Sequence, residues 1–352
     1  MKITRVSYER LDLSLSVPYT IAYETVTHVS NFILKLETDT SLVGYGCAAP
    51  DMEVTGESAE MVEKSIQHHV LPLLKGHNPY MYPKILEELL LLCPEQSSLL
   101  AMVDIALLDL MAKKTDVPLY QFLGGYRNSI ATSITIGIMD LEKTLATARE
   151  YISRDFGILK IKGGLNLEED IAKMIKLREK YPGIGLRFDG NQGYSVEESI
   201  AFVKATEHIG IQIFEQPTKT KGDQQLGEVT HAVGIPVMAD ESLKTLDDAF
   251  RLAQKEQIDM INIKLMKVGG ILEGMHINSV AKSAGLEAMV GCLDECALGI
   301  SAGLHFALSR PNIHFADLDG HLDLQNDPFQ GLFELKKGIL YPSEAPGLGY
   351  IG

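Results

Sequence analysis

Beyond about residue 130 the chain repeats one pattern: a short apolar strand ending in a charged residue, then an amphipathic helix. The charged ends Lys162, Asp189, Glu215, Asp240 and Lys264 are spaced 27, 26, 25 and 24 residues apart. Each interval is about one βα unit of a ~200-residue eight-unit barrel. The strand candidates are Ala131–Ile136, Ile158–Lys162, Gly185–Asp189, Gln212–Glu215, Val237–Asp240, Met260–Lys264, Glu287–Gly291 and His314–Asp317. Helices such as Leu167–Tyr181, Val196–His208, Leu246–Lys255 and Ile271–Ala284 fall between them. The pattern predicts an α/β ring of parallel strands, a TIM barrel of (β/α)8 type. The competing fold is an open doubly wound sheet, and no G-x-G-x-x-G or G-x-x-x-x-G-K-[ST] loop follows any of these strands to support it.

The first ~125 residues read as an α+β unit. Ile3–Leu15 and Asn31–Glu37 alternate like strands, Thr38–Ser41 is a turn, and Ser58–Val70 and Ser97–Lys114 carry helical periodicity. With 32 Lys and Arg against 47 Asp and Glu, the net charge of −15 disfavours nucleic acid and anionic membrane as partners. Apolar stretches such as Leu89–Cys93 fall far short of the roughly 18 residues that span a bilayer, and Met1–Glu9 is charged where a secretory segment would be apolar. A cytoplasmic location is the expectation. Cys47, Cys93, Cys292 and Cys296 make no C-x-x-C pair and no zinc-type spacing with histidine, so they read as reduced thiols without a ligand role.

The strand ends of a barrel form its active-site mouth, so the charged residues there converge on one cavity. Asp189, Glu215 and Asp240 place three carboxylates on adjacent strands, a repulsive arrangement unless a cation sits among them. Oxygen-only ligands select a hard ion: Mg²⁺ first, Mn²⁺ close behind. A metal-free network with the neighbouring lysines is the bland alternative. Alternation turns Lys160 and Lys162 to one face of their strand and Ile161 to the other, while Lys264 lies four strands on, diametrically opposite in an eight-strand ring. A carbon acid held over the cation would meet an amine on each face. A dication and a second ammonium nearby are expected to lower the basic lysine's pKa from about 10.4 toward roughly 7–8.

Lys160-Ile161-Lys162, Asp189-Gly190-Asn191, Glu215-Gln216-Pro217, Ala239-Asp240-Glu241 and the run Asn262 to Gly270 together resemble the enolase superfamily, in its muconate-lactonising-enzyme subgroup. The resemblance covers nearly the whole chain. It implies a modified (β/α)7β barrel over residues 126–319 and an N-terminal α+β capping domain over 1–125, completed by the segment 320–352. The strand after Lys264 carries no histidine in Ala288–Leu293, which disfavours the mandelate-racemase subgroup. Gly291-Cys292-Leu293-Asp294-Glu295 occupies the place of the family's G-S-M-x-E segment, with Cys292 and Leu293 as substitutions.

Asp317-Leu318-Asp319 resembles the D-x-D element by which dipeptide epimerases (the L-Ala-D/L-Glu epimerases are the best known) hold the substrate's free ammonium group. The resemblance implies catalysis by Lys162 and Lys264 as a two-base pair, with Lys160 on the substrate carboxylate, a dipeptide as small-molecule partner, and a homo-oligomer. L-Ala-D/L-Glu epimerases carry an arginine in the loop of the twenties for the glutamyl side chain, whereas this chain offers Glu24. With Asp51, Glu53 and Asp294 it predicts an acidic pocket that prefers a cationic, or at least non-glutamyl, C-terminal residue. The alternatives are another activity of the subgroup (o-succinylbenzoate synthase, N-succinylamino-acid racemase or muconate cycloisomerase), a Schiff-base aldolase using Lys264, and a metal-binding barrel without catalysis. Lys267 reads as structural in preference to a supporting role at the site.

Overall fold

The computed structural model describes residues 1–22, 25–220 and 223–350. The N-terminal unit is an antiparallel sheet of β1 (Ile3–Thr20), β2 (Thr25–Thr38) and β3 (Val43–Ala48) in the order β1-β2-β3. The first two strands outrun the alternating stretches that announced them. Phe32, Leu34 and Leu36 are fully buried on one face of the sheet, packed with residues of the helix Ser97–Lys114. That helix is buried all round, from Ser98 through Ala112, because the sheet covers one side and the barrel the other. Close approach here requires glycine: a Cβ on Gly46 would collide with the Met102 carbonyl of the helix. The expected helix Ser58–Val70 is a helix over Ala59–Ser65, capped by the Ser58 hydroxyl, followed by a π-helical turn over Ile66–Val70.

The barrel strands are β5 (Ile134–Ile136), β6 (Ile158–Lys162), β7 (Gly185–Asp189), β8 (Ile211–Glu215), β9 (Val237–Ala239), β10 (Met260–Lys264), β11 (Glu287–Gly291) and β12 (Ile313–Asp317). They pair in sequence order as one eight-stranded sheet, parallel throughout, and a Thr132–Ala316 bridge draws the first and last strands together into a nearly closed ring. The expected strand Ala131–Ile136 is divided. Its first part, β4 (Ile130–Ala131), joins a C-terminal hairpin of β13 (Phe333–Lys336) and β14 (Ile339–Pro342), and only its end enters the barrel. The helices between strands start where their sequences prescribe. Ser195 with Glu198, and Thr245 with Asp248, form reciprocal capping boxes. No helix among the described residues is long and apolar enough to cross a membrane.

Asp104 ties the buried helix to the barrel. Its carboxylate accepts the backbone N–H groups of Ile271 and Leu272 at the start of the helix Ile271–Ser283, 2.5 and 3.2 Å away. Burial pushes this carboxyl up to about 7, against about 4 in an unfolded chain. The folded protein therefore keeps a proton that the unfolded chain has released between those values. The associated stability is full below about pH 4 and is lost by up to about 1.4 kcal/mol per unit as pH rises toward 7. Asp104→Asn keeps an acceptor oxygen and has nothing to titrate. The melting temperature of the variant relative to wild type should rise between about pH 4 and about pH 7; parallel curves would refute this assignment.

Candidate active site at the barrel mouth

On β6 the alternation is as expected: Ile161 is buried in the apolar cluster between barrel and helices, and Lys160 and Lys162 reach the interior. Lys160 sits at the centre of the charges, its Nζ 2.7 Å from Glu215, 2.9 Å from Asp317 and 3.1 Å from Asp189. Lys162 Nζ is 2.7 Å from Asp189. Lys264 on β10 pairs with Asp240 at 2.6 Å. Since β6 and β10 are four strands apart in the eight-strand order, the two lysines stand on opposite walls, and both line one cavity of about 480 Å³.

The carboxylates of Asp189, Glu215 and Asp240 each offer an oxygen within 4.8 Å of the others, and all three are buried. Burial, followed by repulsion from Asp189, pushes the Glu215 carboxyl up to about 8. At Asp240 burial acts in the same sense, but Lys264 and Lys267 outweigh it and hold the group well below the usual carboxylate range. An all-oxygen cluster with surplus negative charge fits a hard divalent cation, and its residues would be the protein ligands. Neighbours orient them. Asn262 Nδ2 donates to Glu215 at 2.8 Å, and the backbone N–H of Asn191 donates to Asp189 at 2.9 Å. The expected lowering of a lysine pKa does not arise from the protein's own groups. Burial does lower Lys264, but Asp240 leads the opposing influences and the net shift is upward.

Asp317 and Asp319 both line the cavity, at the wall opposite the Glu215 strand end. Asp317 accepts from the Ser133 hydroxyl at 2.6 Å, and Asp319 from the Thr135 N–H at 2.6 Å. Their environments differ. Burial opposes ionisation of both, but Lys160 and Ser133 hold Asp317 down to about 2, whereas Asp319, beside that charge, is pushed up to about 7. Asp51 and Asp294 also line the cavity; Asp51 accepts the N–H groups of Glu53 and Val54. Glu53 is exposed and is not among the lining residues, so it drops out of the expected pocket. Glu24 lies outside the described residues.

Sequence reasoning gave Lys267 a structural role in preference to support of the site, yet it lies 2.5 Å from Asp240 Oδ1 and also donates to the Asp240 carbonyl. A one-turn helix, Leu265–Val268, folds it back, which no strand periodicity foretells. Sequence reasoning missed Glu150, Tyr151, Arg154 and Asp323, which line the cavity from the Leu141–Ser153 helix, its C-cap and the segment after β12, with Arg154 3.8 Å from Glu150.

Residues 4–124 match the family described as mandelate racemase/muconate lactonizing enzyme, N-terminal domain, and residues 143–350 match the enolase C-terminal domain-like family. The chain belongs to the enolase superfamily. An L-Lys-D/L-Arg epimerase of Desulforapulum autotrophicum is 41% identical, with 99% of each chain covered. The substrate-liganded L-Ala-D/L-Glu epimerase of Bacillus subtilis superposes with a TM-score of 0.97 at 37% identity, over 100% of this chain and 99% of that one. A dipeptide epimerase of Methylococcus capsulatus, in complex with Mg and L-Arg-D-Lys, superposes with a TM-score of 0.95 at 35% identity, over the whole of both chains. The superfamily's barrel with an N-terminal antiparallel unit is therefore the architecture here, as its motifs implied.

Proposed function

We propose that the protein is a magnesium-dependent dipeptide epimerase that inverts the α-carbon of the C-terminal residue by two-base proton transfer. The observation that carries this reading is one cavity holding three clustered carboxylates with Lys162 and Lys264 on opposing walls. The epimerase names and dipeptide complexes of full-length relatives support it. In this reading residues 1–125 with 320–352 cap a barrel of residues 126–319. The cap's Ser16, Val17, Ile21, Asp51 and Val54 lie against the substrate and help to exclude water.

Asp189, Glu215 and Asp240 would hold the cation, which would supply Lewis-acid stabilisation to the substrate carboxylate. Lys160 donates to that carboxylate and neutralises the charge that grows on its oxygens as the α-proton leaves. Preorganised positive charge in a buried site lowers the barrier because its attraction increases toward the enediolate. Lys162 takes the proton from one face and Lys264 returns one to the other, or the reverse for the opposite epimer. Asp317 and Asp319 accept hydrogen bonds from the ammonium of the N-terminal residue. An N-acylated dipeptide cannot make those bonds and should not turn over. Its efficient racemisation would favour an N-succinylamino-acid racemase instead.

The substrate side chains are read by an acidic lining. Asp51 and Asp294 disfavour a glutamyl side chain and attract a lysyl or arginyl one; Asp323 adds negative charge along the same cavity, while Glu150 is offset by Arg154, which also lines it, at 3.8 Å. The arginine and lysine in the Methylococcus complex are in keeping with this. Ala-Lys should be epimerised at least about tenfold more efficiently than Ala-Glu, the ratio expected from about 1.4 kcal/mol of charge discrimination. Comparing kcat/KM for Ala-Lys, Ala-Phe and Ala-Glu tests it, and a preference for Ala-Glu would remove the proposal.

A further inference from the structure

The barrel interior holds a charge to which the proposed reaction gives no part. Arg187 lies on β7 two residues before Asp189, so alternation turns it inward one layer deeper. It is 3% exposed, in a floor of Ile213, Met238, Met260 and Met289 closed by Phe315, whose ring lies 5.2 Å from the guanidinium. A buried guanidinium is costly unless its hydrogen bonds are well made, and Nε has no hydrogen-bond partner among the described residues. Its bonds concentrate at Nη1, which donates to the Ala316 carbonyl at 2.8 Å and the Ser133 hydroxyl at 3.1 Å.

The direction of those bonds matters. Guanidinium donates and never accepts, so the Ser133 oxygen must be the acceptor from Arg187. The hydroxyl then has one proton to place and two candidate acceptors, Asp317 Oδ1 at 2.6 Å and the Ala316 carbonyl at 3.4 Å. The much shorter approach and the negative charge of the carboxylate direct the proton to Asp317. The other oxygen, Asp317 Oδ2, remains for Lys160 at 2.9 Å and for whatever cation enters the cavity.

We infer that Arg187 is a positioning residue for substrate recognition: through Ser133 it fixes the orientation of Asp317, so that one carboxylate oxygen is held ready for the substrate's ammonium group. The inference rests on the dipeptide reading of the site. It assigns a task to a residue one layer below the chemistry, and it places Ser133, just before β5, in the same relay.

Steady-state kinetics on a dipeptide, with its des-amino analogue as a competitive inhibitor, test it. Ser133→Ala and Arg187→Met should each raise KM for the dipeptide about tenfold, with kcat held within about twofold, because a charge-assisted contact made equally in ground and transition states is weakened. The double variant should be no worse than Arg187→Met alone, since both changes act on one oxygen. The des-amino analogue has no ammonium to place, so its inhibition constant should be the same for wild type and both variants. A purely structural role would instead lower the melting temperature or the active fraction and leave the dipeptide KM and the inhibition constant unchanged. Should Arg187→Met fail to fold, Ser133→Ala carries the test by itself. An active wild type whose Ser133→Ala variant keeps its dipeptide KM, or loses affinity equally for the des-amino analogue, overturns the relay alone. A wild type inactive on every dipeptide overturns the proposed function and the relay with it.

Discussion

Lys162→Ala and Lys264→Ala are each expected to lower epimerisation by more than about a thousandfold, the upper part of the range for a lost general acid or base. The two variants should not be equivalent. The lysines stand on strands four places apart in the eight-strand order, so each faces one side of a substrate held over the carboxylate cluster. With Lys264 gone, Lys162 still removes and returns the α-proton of the epimer that presents its hydrogen to β6. That epimer should exchange with D₂O without inverting, and Lys162→Ala should show the same for the opposite epimer. Deuterium uptake read by mass spectrometry separates this from a general loss of folding, which would silence both. Two fully active variants, or exchange of the same epimer by both, would end the two-base assignment. Trapping with borohydride is expected to yield nothing, because neither lysine is proposed to form a covalent adduct.

The legible part of this molecule is the part written in local periodicity. β6, β7, β10 and β11 fall on the residues that announced them, because each is a short apolar run between helices, and the first three end on a charge. The same rule brought Asp189, Glu215, Asp240, Lys160, Lys162 and Lys264 together, since strand parity decides which side chains enter the ring. What escaped depends on contacts distant in sequence. β4 pairs with β14, whose residues Ile339 and Leu340 lie some two hundred positions away, and nothing between Ala131 and Ile136 records that partner. β1 and β2 pair with each other well past their alternating stretches, as the ladder from Ile3 with Thr38 to Thr20 with Thr25 attests. Arg187 was within reach of the same parity argument that found Asp189, but its partners Ser133 and Ala316 meet only when the ring closes.

Chelation of divalent cations is expected to abolish activity, with Mg²⁺ restoring it, and the same ion should stabilise the fold. At a concentration of 100 times its dissociation constant, a ligand that binds only the folded state adds about 2.7 kcal/mol, which a melting curve reads directly. Two ligand variants distinguish a metal site from a network of lysine pairs. The Glu215 side chain ionises against burial and the charge of Asp189, and Lys160 keeps Asp189 and Asp317 as partners without it. Glu215→Gln retains an acceptor for Asn262 and replaces a carboxyl whose ionisation burial and Asp189 already oppose. Its metal-free melting temperature should match or exceed that of wild type, while the rise on adding Mg²⁺ should disappear. Asp240→Asn should behave differently. Lys264 and Lys267 lie 2.6 and 2.5 Å from that carboxylate, so its loss leaves two buried ammonium groups without their nearest counter-charge. A broken buried pair costs about 3–5 kcal/mol, and the loss should be visible with or without the ion. If Glu215→Gln retained the full Mg²⁺ stabilisation, the three carboxylates would be no more than counter-charges to the lysines, and the polarising centre on which proton abstraction depends would have to lie elsewhere.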